Sequence, residues 1–191
     1  MVIGLTGPSG AGKGVAADVF AHCGAYVIDC DALYHEMLLT DEPLRKELRA
    51  AFPDCADDSG GVDRRRLAGV VFADAEKLRT LNTIAHRAIN RALTELLAAH
   101  RDENTVLDAP TLFEAGADAL CDVTIAVLAP MELRRERLCI RDGLPPAAID
   151  ARFASQHDDA FFRAHCTYIL ENNGDLDAFQ KTAKNLYHAI T

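Results

Sequence analysis

Residues 2–20 read VIGLTGPSGAGKGVAADVF. Val2 to Thr6 is a short apolar run stopped by Gly7 and Pro8, which predicts a buried strand and then a turn. Val15, Val19 and Phe20 recur at helical spacing, so a helix follows the loop. A glycine loop between strand and helix is the setting of a phosphate-binding loop. The glycines let backbone N–H groups turn inward around phosphate oxygens, and the helix N-terminus adds partial positive charge. Gly7 to Gly14 fits G-x-x-x-x-G-K-[ST] except at its last place, where glycine replaces the hydroxyl residue. Gly10, Ala11, Gly12, Lys13, Gly14 and Val15 are the candidate contacts to ATP phosphates, with Lys13 reaching the β- and γ-phosphates. The missing hydroxyl would touch magnesium, an ion that keeps several waters and takes few protein ligands. Its loss costs about 1.5–3 kcal/mol at most, which weakens a metal site without abolishing the loop. The competing reading is a glycine-rich turn carrying a surface lysine.

The alternation continues beyond the loop. Ala25–Asp29, Thr105–Ala109, Val123–Ala129 and Thr167–Leu170 read as further short strands, the last three ended by Pro110, Pro130 and Asn172-Asn173-Gly174. Helical patterns separate them, which predicts an α/β fold with a mainly parallel five-stranded sheet. Two intervals exceed a simple crossover. The first, about 32–101, holds the turn-rich patch Pro53 to Gly61 and an amphipathic pattern at Leu78, Leu81, Ile84, Ala85, Ala88, Ile89, Ala92 and Leu96. The second, about 143–165, is short, polar and helical. They read as a helical insertion and a mobile lid on a single domain spanning 1–191.

The bulk composition fits that picture. The 191 residues are 49% hydrophobic and 26% charged, a soluble globular balance. No run approaches ~20 apolar residues, and the N-terminus lacks the pattern of a signal peptide. A net charge of -9 argues against a large nucleic-acid footprint, though local arginines can still dominate a cleft. Cys23, Cys30, Cys55, Cys121, Cys139 and Cys166 form no C-x-x-C and fit no zinc template, so buried free thiols in a reducing compartment are expected.

Three further stretches carry chemistry. In VIDCDALYHEML, Asp29 and Asp31 stand just beyond a strand, where open α/β sheets bind ligands. Asp31 could take a proton from an attacking hydroxyl, or could cap the following helix. In VLDAPTLFEAG, Asp108 ends a strand and is a candidate magnesium ligand, directly or through water. Glu114 follows in the next loop, as a site residue or a solvated carboxylate. In MELRRERLCIRDGL, Arg134, Arg137 and Arg141 share one helix face, suited to clamping phosphoryl oxygens or, alternatively, to pairing with Glu132 and Glu136 in solvent. Arg152 in the lid is a weaker candidate. His86 lies within the long helix of the insertion and by spacing alone is a packed or surface residue.

Together the motifs resemble the dephospho-CoA kinase family, in order and over nearly the whole chain: IGLTGPSGAGKG, VIDCDALYHEM, GGVDRRRLAGVVF, LNTIAHRAI, LDAPTLFEAG, RLCIRDGL, ARFASQ and ILENNGDLDAF. The resemblance implies a fold like the nucleoside monophosphate kinases and transfer of the ATP γ-phosphate to the ribose 3′-hydroxyl of dephospho-CoA with Mg2+. It implies Asp31 as base, Lys13 on phosphate, Arg137 and Arg141 as a clamp, and Thr6, His35, Arg64, His86 and Glu114 on the substrate side. It further implies a cytoplasmic monomer or weak homo-oligomer acting on ATP and dephospho-CoA, without nucleic acid or membrane. Gln156 and the Asn172-Asn173-Gly174 turn keep the family pattern. Gly14 departs from it, as do His35, where arginine is common, and Arg87, where proline usually follows the histidine. The rival readings are a kinase for another small acceptor and a nucleotide-binding protein that has lost catalysis.

Overall fold

The computed structural model describes residues 1–57, 61–71 and 73–191. Asp58, Ser59 and Gly60 of the turn-rich patch, and Phe72, lie outside the described residues. The chain forms two compact units, one of residues 1–28 with 97–191, the other of residues 29–96.

The first unit contains the sheet, whose strands in chain order are β1 (Val2–Thr6), β2 (Tyr26–Asp29), β3 (Thr105–Asp108), β4 (Val123–Leu128) and β5 (Tyr168–Glu171). Their spatial order is β2-β3-β1-β4-β5, and β1 pairs in parallel with both β3 and β4, as does β4 with β5. The central strands read as near-continuous apolar runs because helices cover both faces. Ile3, Leu5, Ile125 and Val127 point to one face, where they pack with Ala16 and Phe20 of α1 (Lys13–His22) and with Phe179, Ala183 and Tyr187 of α9 (Leu176–Ile190). Ala126 and Leu128 point to the other face and meet Phe162 of α8 (Asp159–His165). The period of two along each strand dictates this division.

Between β4 and α8 lie α6 (Met131–Asp142) and α7 (Pro146–Ala154). The interval expected to be a lid therefore divides. In its second half, α8 is anchored by Phe162, which is buried against the sheet. Gly143 ends α6 with φ 62°, a left-handed C-cap that frees α7 to change direction.

The second unit is helical: α2 (Cys30–Thr40), α3 (Glu42–Ala51), α4 (Arg64–Val71) and most of α5 (Ala75–Ala99). Its own core gathers Met37, Leu38, Leu44, Leu48, Phe52, Leu67, Val71, Ile84 and Ala88. The departure at Arg87 leaves α5 unbroken, and its guanidinium pairs with Glu47.

The cysteine expectation holds in part. None of the six cysteines is in a disulfide, but Cys139 is exposed, and Cys23, Cys121 and Cys166 are only partly covered.

Candidate active site

The phosphate loop sits where β1 hands over to α1, and its carbonyl groups are held from behind. Arg134 Nε donates to the Ser9 carbonyl at 3.2 Å. Arg137 Nη1 donates to the carbonyls of Gly10 at 3.1 Å and Ala11 at 3.3 Å. Asn172 Nδ2 donates to the Ala11 carbonyl at 2.8 Å, and its Oδ1 accepts from Arg137 at 3.2 Å. Pinning these oxygens on one side turns the loop's amide groups to the other. The Ala11 N–H closes the loop on the Pro8 carbonyl at 3.1 Å, so this amide shapes the cradle rather than facing a ligand. Gly12 caps α1 with φ 102° and no side-chain hydrogen bond. The N–H groups of Lys13, Gly14 and Val15 then lie in the first turn, where an α-helix supplies no partner of its own. This combination forms an anion seat.

Lys13 Nζ ion-pairs with the Asp108 carboxylate at the end of β3, and both side chains are largely buried. A cation and an acid thus meet at the mouth of the loop. Gly14 belongs to α1, has no left-handed backbone, and an added Cβ would meet nothing within 4 Å.

Three sequence readings meet specific surroundings in the structure. Thr6 is fully buried, and its Oγ1 donates to the Pro110 carbonyl at 3.3 Å, which ties it to the turn after β3. The arginine face of α6 is not one clamp. Arg134 is 6% exposed, with its guanidinium 4.4 Å from the Phe153 ring centroid and 3.5 Å from Asp159. Burial pulls its pKa below the usual guanidinium value, and the Asp159 charge opposes that shift. Arg137 is engaged with loop carbonyls and Asn172. Arg141 alone stays exposed, with Nε and Nη2 on the two carboxylate oxygens of Asp142 at 2.6 and 2.9 Å. That hydrogen-bonded pair raises the Arg141 pKa and holds the Asp142 carboxyl below its ordinary value, and Arg152 Nη1 joins Asp142 at 3.2 Å. Finally, the cap of α2 is Asp29, not Asp31. Asp29 Oδ1 accepts from the N–H groups of Asp31 and Ala32, both at 2.9 Å. The Asp31 carboxylate is left exposed in the first turn, without a capping role.

Asp31 and His35 stand one turn apart on α2, and His35 Nε2 meets Arg64 Nη2 of α4 at 2.9 Å. The second unit therefore brings three expected substrate-side residues onto exposed surface. His86 is partly covered in mid-α5. In the first unit Glu114 lies 3.5 Å from His157 Nε2, at a cleft of about 180 Å³ lined also by Gly7, Thr111 and Gln156.

Sequence reasoning missed Asn172 and Gln156 as loop-holding residues. Asn172 is 4% exposed, and a buried asparagine just past a strand needs polar partners. That requirement was the available signal.

The comparisons bear on this site. The family model described as Dephospho-CoA kinase matches residues 1–178. A dephospho-CoA kinase of Aquifex aeolicus is 34% identical over 192 residues, covering 99% of this chain and 97% of that protein. A crystal structure from Thermus thermophilus superposes with a TM-score of 0.84 at 34% identity, over 100% of this chain and 98% of that one. A shikimate kinase from Acinetobacter baumannii shares the fold alone, with a TM-score of 0.54 at 18% identity over 99% of this chain and 89% of its own. The phosphate loop and parallel sheet are thus those of P-loop kinases, and the full-length match selects among them: the chain belongs to the dephospho-CoA kinase family.

Proposed function

We propose that this chain transfers the γ-phosphoryl group of ATP to the ribose 3′-hydroxyl of dephospho-CoA, giving coenzyme A and ADP, the last step of coenzyme A synthesis. The observation that carries the reading is the pinned loop, with its carbonyls on Arg134, Arg137 and Asn172 and its helix N-terminus left uncapped, in a chain of this family.

Phosphoryl transfer relies on positioning and electrostatic stabilisation, with little covalent work for the protein. The amides of Gly12 to Val15 receive the phosphates and Lys13 neutralises the terminal ones. Arg137 adds positive charge behind the loop while holding it. Arg141 and Arg152, paired on Asp142 and solvent-accessible, are the clamp candidates for the transferring group. Asp31 takes the acceptor proton, and His35, Arg64 and His86 serve the acceptor side on the helical unit. The residues present fit a magnesium ion: the ion asks for one or two carboxylates plus phosphates and waters, and Asp108 supplies a carboxylate beside Lys13. Bound there, it would neutralise charge on the nucleotide phosphates. Six cysteines outside any disulfide suit a cytoplasmic setting.

ADP formation by purified protein with ATP and magnesium tests the reading. Dephospho-CoA should support turnover and shikimate or gluconate should not. Turnover with one of those two, and not with dephospho-CoA, would reassign the acceptor.

A further inference from the structure

Ser9 is held at every polar group it has. Its carbonyl accepts from Arg134, its N–H donates to Gln156 Oε1 at 3.1 Å, and its Oγ accepts from Gln156 Nε2 at 2.8 Å. A single amide therefore grips both the backbone and the side chain of a loop residue 147 positions away. Gln156 lies just past α7, and its own N–H donates to the Phe153 carbonyl at 3.2 Å, so its place follows that helix. The Phe153 ring lies beneath Arg134, the side chain that takes the third group of Ser9. Asp150 of α7 pairs with Arg135 at 2.6 Å, and Arg152 of α7 reaches Asp142. The helix that carries Arg152 is thus fastened to α6 by side chains and to the phosphate loop through Gln156.

We infer that Gln156 is a positioning residue for phosphoryl transfer, which fixes the Ser9 limb of the phosphate loop and ties it to the helix carrying Arg152. The inference rests on the kinase reading above. Ser9 lies upstream of the cradle formed by Gly12, Lys13, Gly14 and Val15, and Arg137 and Asn172 hold Gly10 and Ala11 independently of it. Loss of the Gln156 contact should therefore spare ground-state nucleotide binding and damage the alignment needed in the transition state. Misplacement of about 1 Å at such a site costs on the order of 100-fold.

The test uses Gln156→Ala, Ser9→Ala and the double variant of the full chain. Three measurements are made: kcat and ATP KM with dephospho-CoA, melting temperature, and hydrogen exchange of the peptide spanning the loop. The expected result for Gln156→Ala is a kcat drop of roughly 10–100-fold. ATP KM should stay within about threefold, the melting temperature should be near wild type, and loop exchange should be faster. Ser9→Ala should act in the same direction and more weakly, since its N–H contact persists. The double variant should be no worse than Gln156→Ala, because both act through one contact. Wild-type kcat in Gln156→Ala, a rise in KM alone, or effects that add in the double variant would each overturn the inference. If the wild type fails to phosphorylate dephospho-CoA, the kinase reading falls, while loop exchange in the same variants still decides whether Gln156 holds the loop.

Discussion

Asp29 and Asp31 differ by two positions and by everything they touch. Asp29 caps α2 through two N–H groups, one of them that of Asp31, whose carboxylate has no part in that cap. Replacing Asp29 with Ala should cost about 1 kcal/mol of stability, read from denaturant unfolding. Asp31→Asn should leave unfolding unchanged and lower kcat by roughly 10²–10⁴-fold if Asp31 is the general base. Asp31→Asn with wild-type kcat would remove Asp31 from the chemistry. The sequence favoured neither role for Asp31 because β2 passes into α2 without a linker, so the last strand residue serves as cap. Gly14 is equally specific. Its surroundings are open and its backbone is helical, so Gly14→Ser meets no steric obstacle. Serine favours the helix by a few tenths of a kcal/mol, and a regained hydroxyl contact to magnesium adds no more than ~3 kcal/mol. The variant should melt no lower than the parent and reach half-maximal turnover at lower magnesium. An unchanged magnesium titration would mean that the hydroxyl position has no part in metal binding here.

Among elements, α6 shows most clearly what periodicity can and cannot reveal. Spacing placed Arg134, Arg137 and Arg141 on one face, which the helix confirms. It could not say how deep each would lie. Arg134 is buried over Phe153, Arg137 is engaged with loop carbonyls, and only Arg141, in the last turn, remains in solvent. Depth depends on which elements pack beside the helix, and the positions of Ser9, Phe153 and Asn172 are set by three separate segments. Arg134→Met keeps most of the packing volume and removes the charge, the hydrogen bond to Ser9 and the stacking on Phe153. Loss of that charged hydrogen bond is worth about 1.5–3 kcal/mol, and the stacking about 0.5–2 kcal/mol. Arg134→Met should therefore be less stable to denaturant by about 2–5 kcal/mol and lower kcat with ATP KM near wild type, since the Ser9 carbonyl it anchors lies upstream of the cradle. A change confined to stability, with kcat intact, would limit Arg134 to packing. Asp41, Asp63, Asp74, Asp158 and Asp175 each accept N–H groups of a following helix, the role aspartate takes ahead of an apolar helical run. Part of the chain's acidity is therefore capping.

For the whole molecule, the alternation of strands and helices sufficed to foretell a parallel sheet. It could not foretell that α8 would join the sheet while α7 would not, because Phe162 and Phe153 look alike in sequence and differ only in what the topology brings against them. The same dependence on packing governs the thiols. Burial, with smaller contributions from Asp118 and Asp122, pushes Cys121 up to about 12, and burial pushes Cys166 up to about 11 despite a hydrogen bond with Thr124. Both thiols stay protonated in the folded chain at pH values where an unfolded chain would ionise them. A raised folded pKa contributes stability in full below the unfolded value, near 9, and that contribution is lost as pH climbs toward the folded values. Melting temperature should therefore fall across pH 9 to 11 more steeply than for Cys121→Ala, whose own pH 8 stability is lower by the small cavity left near Gly4 and Leu112. A thiol reagent at pH 8 should modify exposed Cys139 first and partly covered Cys121 more slowly. Parallel melting curves for the two proteins between pH 9 and 11 would show that Cys121 does not sense the alkaline transition, and prompt labelling of Cys121 at pH 8 would show that its burial is not protective.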